Sequence, residues 1–514
     1  MTKAQTQGPF PDGWLARFDA YAEAFVARHD IPGAAVAVVK DGETVALRAF
    51  GFRDREANLA AAPSTRFGIA SLTKSFTVLG LLALQAKGVL DLHDPVRRYL
   101  PSFDYPGLDA LGEVLLWHMA SHTSGIPPLR ALDYAIHPSQ VGDPAEAFQT
   151  RDYRSAPSIQ TYDELLAYLR RGERAPLGPP GRYVSYSNDA YGLLGAVIER
   201  ATGTPYPDVM AEEVFAPLGM ASATFDTQAA EASGVATRLY TRAPDQRVIL
   251  SPQWEEAPAH LATGFLKASV EDLAKALAFW SVPDVGREDT SLRSWLAPDA
   301  SADAWRARAW AGPNMGYGLG WMVHRGVFDG VTLIRHGGSL KGVSAHQGFM
   351  PELGLGVAVL TNLDEAPVKR LWHAAVNAAM GAPLERAPYP DAPARALPVD
   401  TLDGLAGVYG SGEPWGRLEL RWLAPGLDLG GGAGVGVGDG VGAGHGESRE
   451  LRAFTGEDAV DAGRLAPLTN DEFVLVGEAG AWDGGRFHRD DAGRVVAMQY
   501  GLRWYDRWED PAGP

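Results

Sequence analysis

The 514-residue sequence contains no cysteine. Disulfides, thiolate nucleophiles and cysteine-ligated metal sites are therefore excluded. Long apolar runs are also lacking, since the longest, Val78 to Leu84, is far shorter than the roughly 20 residues that cross a bilayer as a helix. The opening MTKAQTQGPFPDGW has no apolar core after its lysine, so a secretory signal is not expected. We therefore expect a cytoplasmic protein without a membrane partner.

Positive charge is also scarce, with 46 Lys and Arg against 63 Asp and Glu and a net charge of −17. An acidic surface repels nucleic acid, so no nucleic-acid partner is expected. Hydrophobic residues make up 46% of the chain, which is enough for a sizeable core. The length exceeds the roughly 250–300 residues at which single cores stop growing, which predicts a large domain and at least one more.

The pattern over residues 1–385 predicts an α/β (α+β) domain. Apolar residues at helical spacing over 15–29 predict an opening helix, and two strand-like runs flank Asp41-Gly42, a pair that suits a tight hairpin turn. Helices and loops follow, and the last part has strand-like runs at 331–336, 344–350 and 355–362 and a closing helix near 365–380. This order predicts one antiparallel sheet built from both ends, flanked by helices and carrying a helical insertion.

Helix boundaries are predicted from capping residues in three places. One helix begins near Ser71 and ends at Gly88, and another begins with a capping box formed by Thr161 and Glu164. A third helix ends at Gly203.

The last part of the chain has a different pattern. Five prolines between positions 383 and 398 predict an extended linker over 386–398. Short alternating and strand-like runs then predict a small all-β domain over 399–514. The Gly-, Val- and Ala-rich segment 429–446 is interpreted as a flexible loop, because it lacks the lysine and the helix of a phosphate-binding loop.

Ser71-Leu72-Thr73-Lys74 is the first candidate catalytic motif. Positions three apart share one face of a helix, so the lysine amine can reach the serine hydroxyl and activate it. The pattern also arises by chance, as a capped helix with a surface lysine.

Two further motifs follow in order. Tyr186-Ser187-Asn188 precedes a predicted helix, and a phenol near an ammonium group can act as a base. The alternative is a buried tyrosine with Asn188 as an N-cap. The second motif begins with His336 at the end of a strand and continues through two glycines to Ser339. Small residues there allow a substrate to lie along the strand edge.

These three motifs together resemble the penicillin-recognising serine hydrolases, and the Y-S-N form resembles the class C β-lactamase branch with its D-aminopeptidases and esterases. Further phrases are similar to that family: HTSGIPP at 122–128, LATGFLKASVEDLAKAL at 261–277, GYGLGW at 316–321 and HGGSLKGVSAHQGFMPE at 336–352. The tail, opening LDGLAGVYG at 402–410, resembles the lipocalin-like barrel domains that follow some members.

The resemblance implies a role for each motif residue. Ser71 would be the acylated nucleophile, Lys74 and Tyr186 would transfer its proton, and Asn188 would orient the substrate. Two further substrate-binding positions would be Gly338 and Ser339, with the Ser71 and Ser339 amides forming the oxyanion hole. The sequence leaves open whether Lys74 or Tyr186 accepts the serine proton first.

His336 stands where the commonest third motif of the family has lysine. That cation helps to hold a substrate carboxylate, whereas histidine is only partly charged near neutrality. The H-x-G form resembles the D-aminopeptidase branch and favours hydrolysis of amides or esters of small D-aminoacyl compounds over β-lactam hydrolysis. The expected partner is therefore a small molecule or short peptide. No cofactor or metal is expected, and the sequence leaves open whether the protein forms a homo-oligomer.

Two rival interpretations differ in class. His118 and His122 have a spacing that zinc can use, but Met119 stands where H-E-x-x-H needs glutamate. A non-catalytic binding or scaffold protein is the other rival, and it is disfavoured because every chemical group is retained.

Overall fold

A computed structural model describes residues 10–148, 157–281, 300–328, 330–388, 398–411, 417–423, 450–455, 460–477 and 480–509. Within these ranges the two largest strand assemblies are a nine-stranded sheet and a closed eight-stranded barrel.

The nine-stranded sheet is antiparallel throughout and is built from both ends of the first part of the chain, as predicted. Its order is β3-β2-β1-β13-β12-β11-β10-β9-β8, and β4–β7 and β5–β6 form two separate pairs. The strands are β1 (Gly33–Lys40), β2 (Glu43–Asp54), β3 (Leu59–Ala60), β4 (Phe67–Gly68), β5 (Tyr240–Arg242), β6 (Val248–Leu250), β7 (Lys267–Ala268), β8 (Ala309–Trp310), β9 (Met315–Tyr317), β10 (Met322–Val327), β11 (Val331–Leu340), β12 (Val343–Met350) and β13 (Leu355–Thr361).

Helices pack on both faces of this sheet, and the described part of the chain has fifteen α-helices in all. They are α1 (Trp14–Arg28), α2 (Thr73–Ala86), α3 (Val96–Tyr99), α4 (Leu116–Ala120), α5 (Ala131–Ile136), α6 (Tyr162–Leu169), α7 (Asn188–Thr202), α8 (Tyr206–Met210), α9 (Ala216–Leu218), α10 (Thr227–Ala232), α11 (Leu261–Gly264), α12 (Val270–Trp280), α13 (Ala300–Trp305), α14 (Val368–Ala379) and α15 (Val399–Asp403).

The central strand β1 explains why the sheet is buried on both sides. Successive side chains of a strand point to opposite faces, and here both sets are apolar. Ala35 and Val39 enter the core formed with α2, α7 and α12, whereas Val36 and Val38 enter the core formed with α1 and α14. The strand therefore has no polar face.

Several local predictions are confirmed. Asp41 and Gly42 turn between β1 and β2 with φ of 51° and 82°. The Thr161 capping box begins α6. The alternative interpretation of the tyrosine motif had Asn188 as an N-cap, but the N-cap of α7 is Ser187, whose hydroxyl accepts the Ala190 amide at 3.1 Å.

The second assembly is the predicted all-β structure, and its eight strands close into a barrel. Apolar side chains such as Leu420, Phe473 and Phe487 fill its interior. The strands are β14 (Gly407–Gly410), β15 (Arg417–Leu423), β16 (Glu450–Thr455), β17 (Val460–Pro467), β18 (Glu472–Gly477), β19 (Gly480–Arg489), β20 (Val495–Tyr500) and β21 (Arg503–Trp508).

The domain boundary remains a proposal, with 1–385 and 399–514 as separate domains. Most of the predicted linker, 389–397, and all of the glycine-rich segment 429–446 lie outside the described residues. Limited proteolysis is expected to cut first within 386–398 or 429–446, because packed structure protects a chain from cleavage. First cuts inside the nine-stranded sheet would contradict this boundary.

None of the described helices has both the length and the apolar character needed to cross a bilayer.

Candidate active site

Ser71 lies in a single 3₁₀ turn, Ala70–Leu72, between strand β4 and helix α2. Ala70 has a φ of 47°, a left-handed conformation that costs energy for a residue with a side chain. This strained turn presents Ser71 at the beginning of α2, where the helix dipole favours developing negative charge.

Lys74, one turn further along, is fully buried beside Ser71. Its Nζ lies 3.0 Å from Ser71 Oγ, 3.0 Å from Asn188 Oδ1 and 2.8 Å from the Thr263 carbonyl oxygen. Burial holds the pKa of Lys74 well below its usual range, and the Arg503 guanidinium adds to this effect while Asp189 opposes it. A lowered lysine pKa favours the neutral amine, which can accept a proton.

When Lys74 is an ammonium, its Nζ donates to all three partners, and the neutral amine that burial favours must redistribute these bonds. A neutral amine has two N–H donors and one lone pair. Asn188 Oδ1 and the Thr263 carbonyl can only accept hydrogen bonds, so they take both donors. The lone pair is then left for the Ser71 hydroxyl proton.

Tyr186 precedes α7 and is 6% exposed. Its ring centroid lies 4.8 Å from Lys74 Nζ. His122 packs on the same ring, with centroids 4.2 Å apart, and its Nδ1 accepts the Ser187 amide at 3.1 Å. His122, the first residue of the HTSG segment, therefore packs on the Tyr186 ring and binds the Ser187 amide. The sequence alone did not indicate this role.

The end of β11 forms one wall of the site. Strand β10 pairs with β11 no further than Arg335, whereas β12 pairs with it through Leu340. A Cβ on Gly338 would lie 3.0 Å from the Ser71 amide nitrogen and 2.7 Å from the Ile69 carbonyl oxygen. Gly338 is therefore required for close approach, and Ser339 follows it at an exposed position.

His336 occupies a different environment from the one expected. It is fully buried, with Nε2 2.9 Å from the Tyr317 hydroxyl and Nδ1 2.6 Å from the Gly337 carbonyl oxygen. Burial lowers the pKa of His336 to about 3, and Lys74 adds to this. The expectation of partial charge near neutrality is therefore corrected: the buried imidazole is neutral there. Tyr317, from the GYGLGW phrase, orients it.

A lysine at position 336 tests whether this position reaches the substrate. His336→Lys is expected to speed acylation by carboxylate-bearing penicillins about tenfold, the effect of roughly 1.4 kcal/mol of added attraction. Stopped-flow measurement of acylation, with the melting temperature as a folding control, checks this. An unchanged rate in a folded variant would show that position 336 does not reach the substrate carboxylate.

The barrel contributes to the same site through the turn between β20 and β21. The Leu502 carbonyl accepts the Tyr186 amide at 2.9 Å, and Gln499 Nε2 donates to the Val184 carbonyl at 2.7 Å. The Arg503 guanidinium carbon lies 4.5 Å from the Tyr186 ring centroid. Arg503 begins β21, and nothing in a strand so far along the chain from Tyr186 indicates this contact in the sequence.

The two histidines of the zinc interpretation are both engaged with backbone. His118 Nδ1 accepts the Leu115 amide at 3.0 Å, and His122 Nδ1 accepts Ser187. Burial lowers the pKa of His118 to about 4. In the ranges that the structure describes, no group of three or more His, Asp or Glu side chains is arranged to hold a metal ion.

The fold and the arrangement of the site are those of the β-lactamase and transpeptidase type. The family model described as Beta-lactamase matches residues 18–380, and the chain belongs to this family. It is 26% identical over 367 residues to the protein flp of Staphylococcus aureus (strain MW2), covering 69% of this chain. The match spans 64% of the flp protein, less than two thirds of its length.

Two solved structures are similar in fold. The octameric penicillin-binding protein homologue from Pyrococcus abyssi has a TM-score of 0.63 and 23% identity, covering 96% of this chain and 99% of its own. A D-stereospecific amidohydrolase from Streptomyces sp. has a TM-score of 0.55 and 25% identity, covering 72% of this chain and 98% of its own. The first of these matches extends over the barrel as well as the sheet.

Proposed function

We propose that this hydrolase forms an acyl-enzyme at Ser71 and cleaves amide or ester bonds of small D-aminoacyl compounds. The observation that carries the proposal is the buried Lys74 amine, 3.0 Å from Ser71 Oγ and also bonded to Asn188 Oδ1 and the Thr263 carbonyl oxygen. Esterase and β-lactamase activities of the same fold are the alternatives.

In the first step, Ser71 Oγ attacks the substrate carbonyl carbon and its proton passes to Lys74. The Ser71 and Ser339 amides would stabilise the oxyanion, since donors fixed in advance lower the barrier without reorganisation. Lys74 is taken as the first acceptor because its amine lies 3.0 Å from Ser71 Oγ.

In the second step, Tyr186 would pass a proton to the leaving amine or alcohol as its bond to the acyl carbon breaks, and the proton held on Lys74 would then return to Tyr186. Water next attacks the acyl carbon and gives one proton to Lys74, which returns it to Ser71 Oγ as the acid is released. Asn188 holds Lys74 through Oδ1, and its amide group would orient the substrate.

The D-aminoacyl assignment has two supports. The buried, neutral His336 offers no cation for a β-lactam carboxylate. The Streptomyces structure of similar fold belongs to a D-stereospecific amidohydrolase. A short peptide or small molecule fits this chemistry.

A substrate comparison tests the proposal. D-Alanine p-nitroanilide is expected to have a higher kcat/KM than the L form and than nitrocefin, a chromogenic cephalosporin. A wide advantage for the cephalosporin would identify a β-lactamase instead. Turnover of esters alone would identify an esterase.

An assembly of several copies is the remaining part of the proposal, suggested by the octameric Pyrococcus homologue. Light scattering on the full chain tests it, and a monomer at micromolar concentration would contradict it.

A further inference from the structure

His260 and Asp189 form a buried pair that the proposed mechanism does not use. His260 Nε2 lies 3.3 Å from Asp189 Oδ1, and the two side chains are 0% and 2% exposed. A carboxylate can only accept hydrogen bonds, so the His260 nitrogen is the donor. Since a carboxylate taken out of water destabilises a fold unless a donor satisfies it, the two side chains act as one unit.

This pair links the two helices that hold Lys74. Asp189 lies in the first turn of α7, directly after Asn188, and His260 is the N-cap residue of α11, which contains Thr263. Asn188 Oδ1 and the Thr263 carbonyl oxygen both accept hydrogen bonds from Lys74 Nζ. Thr263 Oγ1 also donates to the Asn188 carbonyl oxygen at 3.0 Å. The His260–Asp189 contact is therefore a second link between the same two helix ends.

The two helices approach each other closely at this pair. Gly192 lies one turn after Asp189 on the same face of α7. A Cβ on Gly192 would lie 2.7 Å from the Ala259 carbonyl oxygen and 3.1 Å from His260 Cδ2. Because the backbones are in direct contact here, a change in the pair moves α11 relative to α7.

Asp189 also acts on Lys74 through its charge. Burial lowers the pKa of Lys74, and Arg503 lowers it further, whereas Asp189 raises it. The other titratable groups that face Lys74 or Asp189 are all tyrosines and histidines: Tyr105, His122, Tyr168, Tyr186, Tyr191 and His336. Among these described groups Asp189 is the one carboxylate, and it opposes Arg503.

We infer that His260 and Asp189 are positioning residues for Lys74. Their contact fixes α7 against α11 and so holds both helix-end acceptors of the Lys74 amine in place, while the Asp189 carboxylate opposes the charge of Arg503. The inference rests on the proposed function, in which Lys74 accepts the Ser71 proton. It adds two residues that lie outside the three sequence motifs.

The first test removes the charge and keeps the contact. Asp189→Asn retains an oxygen that can accept from His260 Nε2. Because a nearby negative charge is lost, the pKa of Lys74 should fall, and the acid limb of Ser71 labelling by a fluorophosphonate should move to lower pH. Relative to the plateau, labelling on the acid limb should be about 3- to 10-fold faster than in the wild type. This direction is opposite to that expected on removing the Arg503 charge.

The second test removes the contact. His260→Leu deletes the donor, and the plateau rate of labelling should fall about 10-fold, the size of a lost hydrogen bond to a charged group. His260→Gln, whose amide can donate in place of Nε2, should recover most of that rate. Melting temperatures of the full-length variants control for folding.

Asp163→Asn is the matched control, because Asp163 is an exposed acid in the first turn of α6. Its rate and pH profile should match those of the wild type. NMR of protein containing isotopically labelled lysine follows the pKa of Lys74 directly, and its signal is assigned by its absence in Lys74→Ala.

An unchanged Lys74 pKa and acid limb in Asp189→Asn, or wild-type labelling in folded His260→Leu, would overturn the inference. Absence of Ser71 labelling in the wild type would instead contradict the proposed function. The NMR titration of Lys74 in Asp189→Asn would still decide the role of Asp189 in that case.

Discussion

Lys74→Ala is expected to lower kcat by about three to four orders of magnitude while leaving substrate binding nearly unchanged. The variant removes the only amine that contacts Ser71 Oγ in the described part of the chain. Without it, the serine hydroxyl loses the amine that lies 3.0 Å from its oxygen. Burst kinetics with an activated ester separate this loss in acylation from a loss in deacylation.

Tyr186→Phe provides the second side of a double-mutant cycle. Because Lys74 and Tyr186 would act as one unit, the double variant should be little worse than the worse single variant. Lys275→Ala, which alters an exposed lysine on α12, serves as the control. Fully additive losses would mean that the two side chains act in separate steps.

Arg503→Ala is expected to lower kcat/KM by about 10- to 100-fold, although the residue belongs to the barrel. Its guanidinium packs on the Tyr186 ring and its charge helps to hold the pKa of Lys74 down. Removing that charge raises the pKa of Lys74, so a higher pH is needed to keep the amine neutral. The acid limb of the pH profile of kcat/KM should therefore move to higher pH.

Arg503→Lys keeps the positive charge, so the acid limb of its pH profile should lie close to that of the wild type. A purely structural role for Arg503 would not give this recovery. Arg494→Ala is a suitable control, since Arg494 pairs with Asp490 at an exposed turn of the same barrel. An unchanged pH profile in Arg503→Ala would show that the charge of Arg503 does not affect the pKa of Lys74.

The sheet and the barrel could be predicted because their patterns are local. Alternating and continuous apolar runs fix strands, and Asp41-Gly42 fixes a hairpin, whatever the rest of the chain does. The pairing of β1 with β13 followed from strands at both ends of the domain. The first candidate catalytic motif could be recognised for a similar reason, since Ser71 and Lys74 are one helical turn apart in the sequence.

The environment of these groups could not be predicted in the same way. Whether His336 is charged depends on burial by distant elements, and sequence spacing contains no information on burial. Arg503 reaches Tyr186 through the packing of the barrel against the segment before α7. Each of these depends on tertiary contacts between segments far apart in the sequence.

Mass spectrometry of the intact protein after reaction with a fluorophosphonate tests the central claim most directly. One adduct is expected, and peptide mapping should locate it on Ser71. Ser71→Ala should show no adduct and no turnover. Ser75→Ala, which alters a buried serine of helix α2, should be labelled normally. Labelling at another residue, or full activity in folded Ser71→Ala, would contradict it.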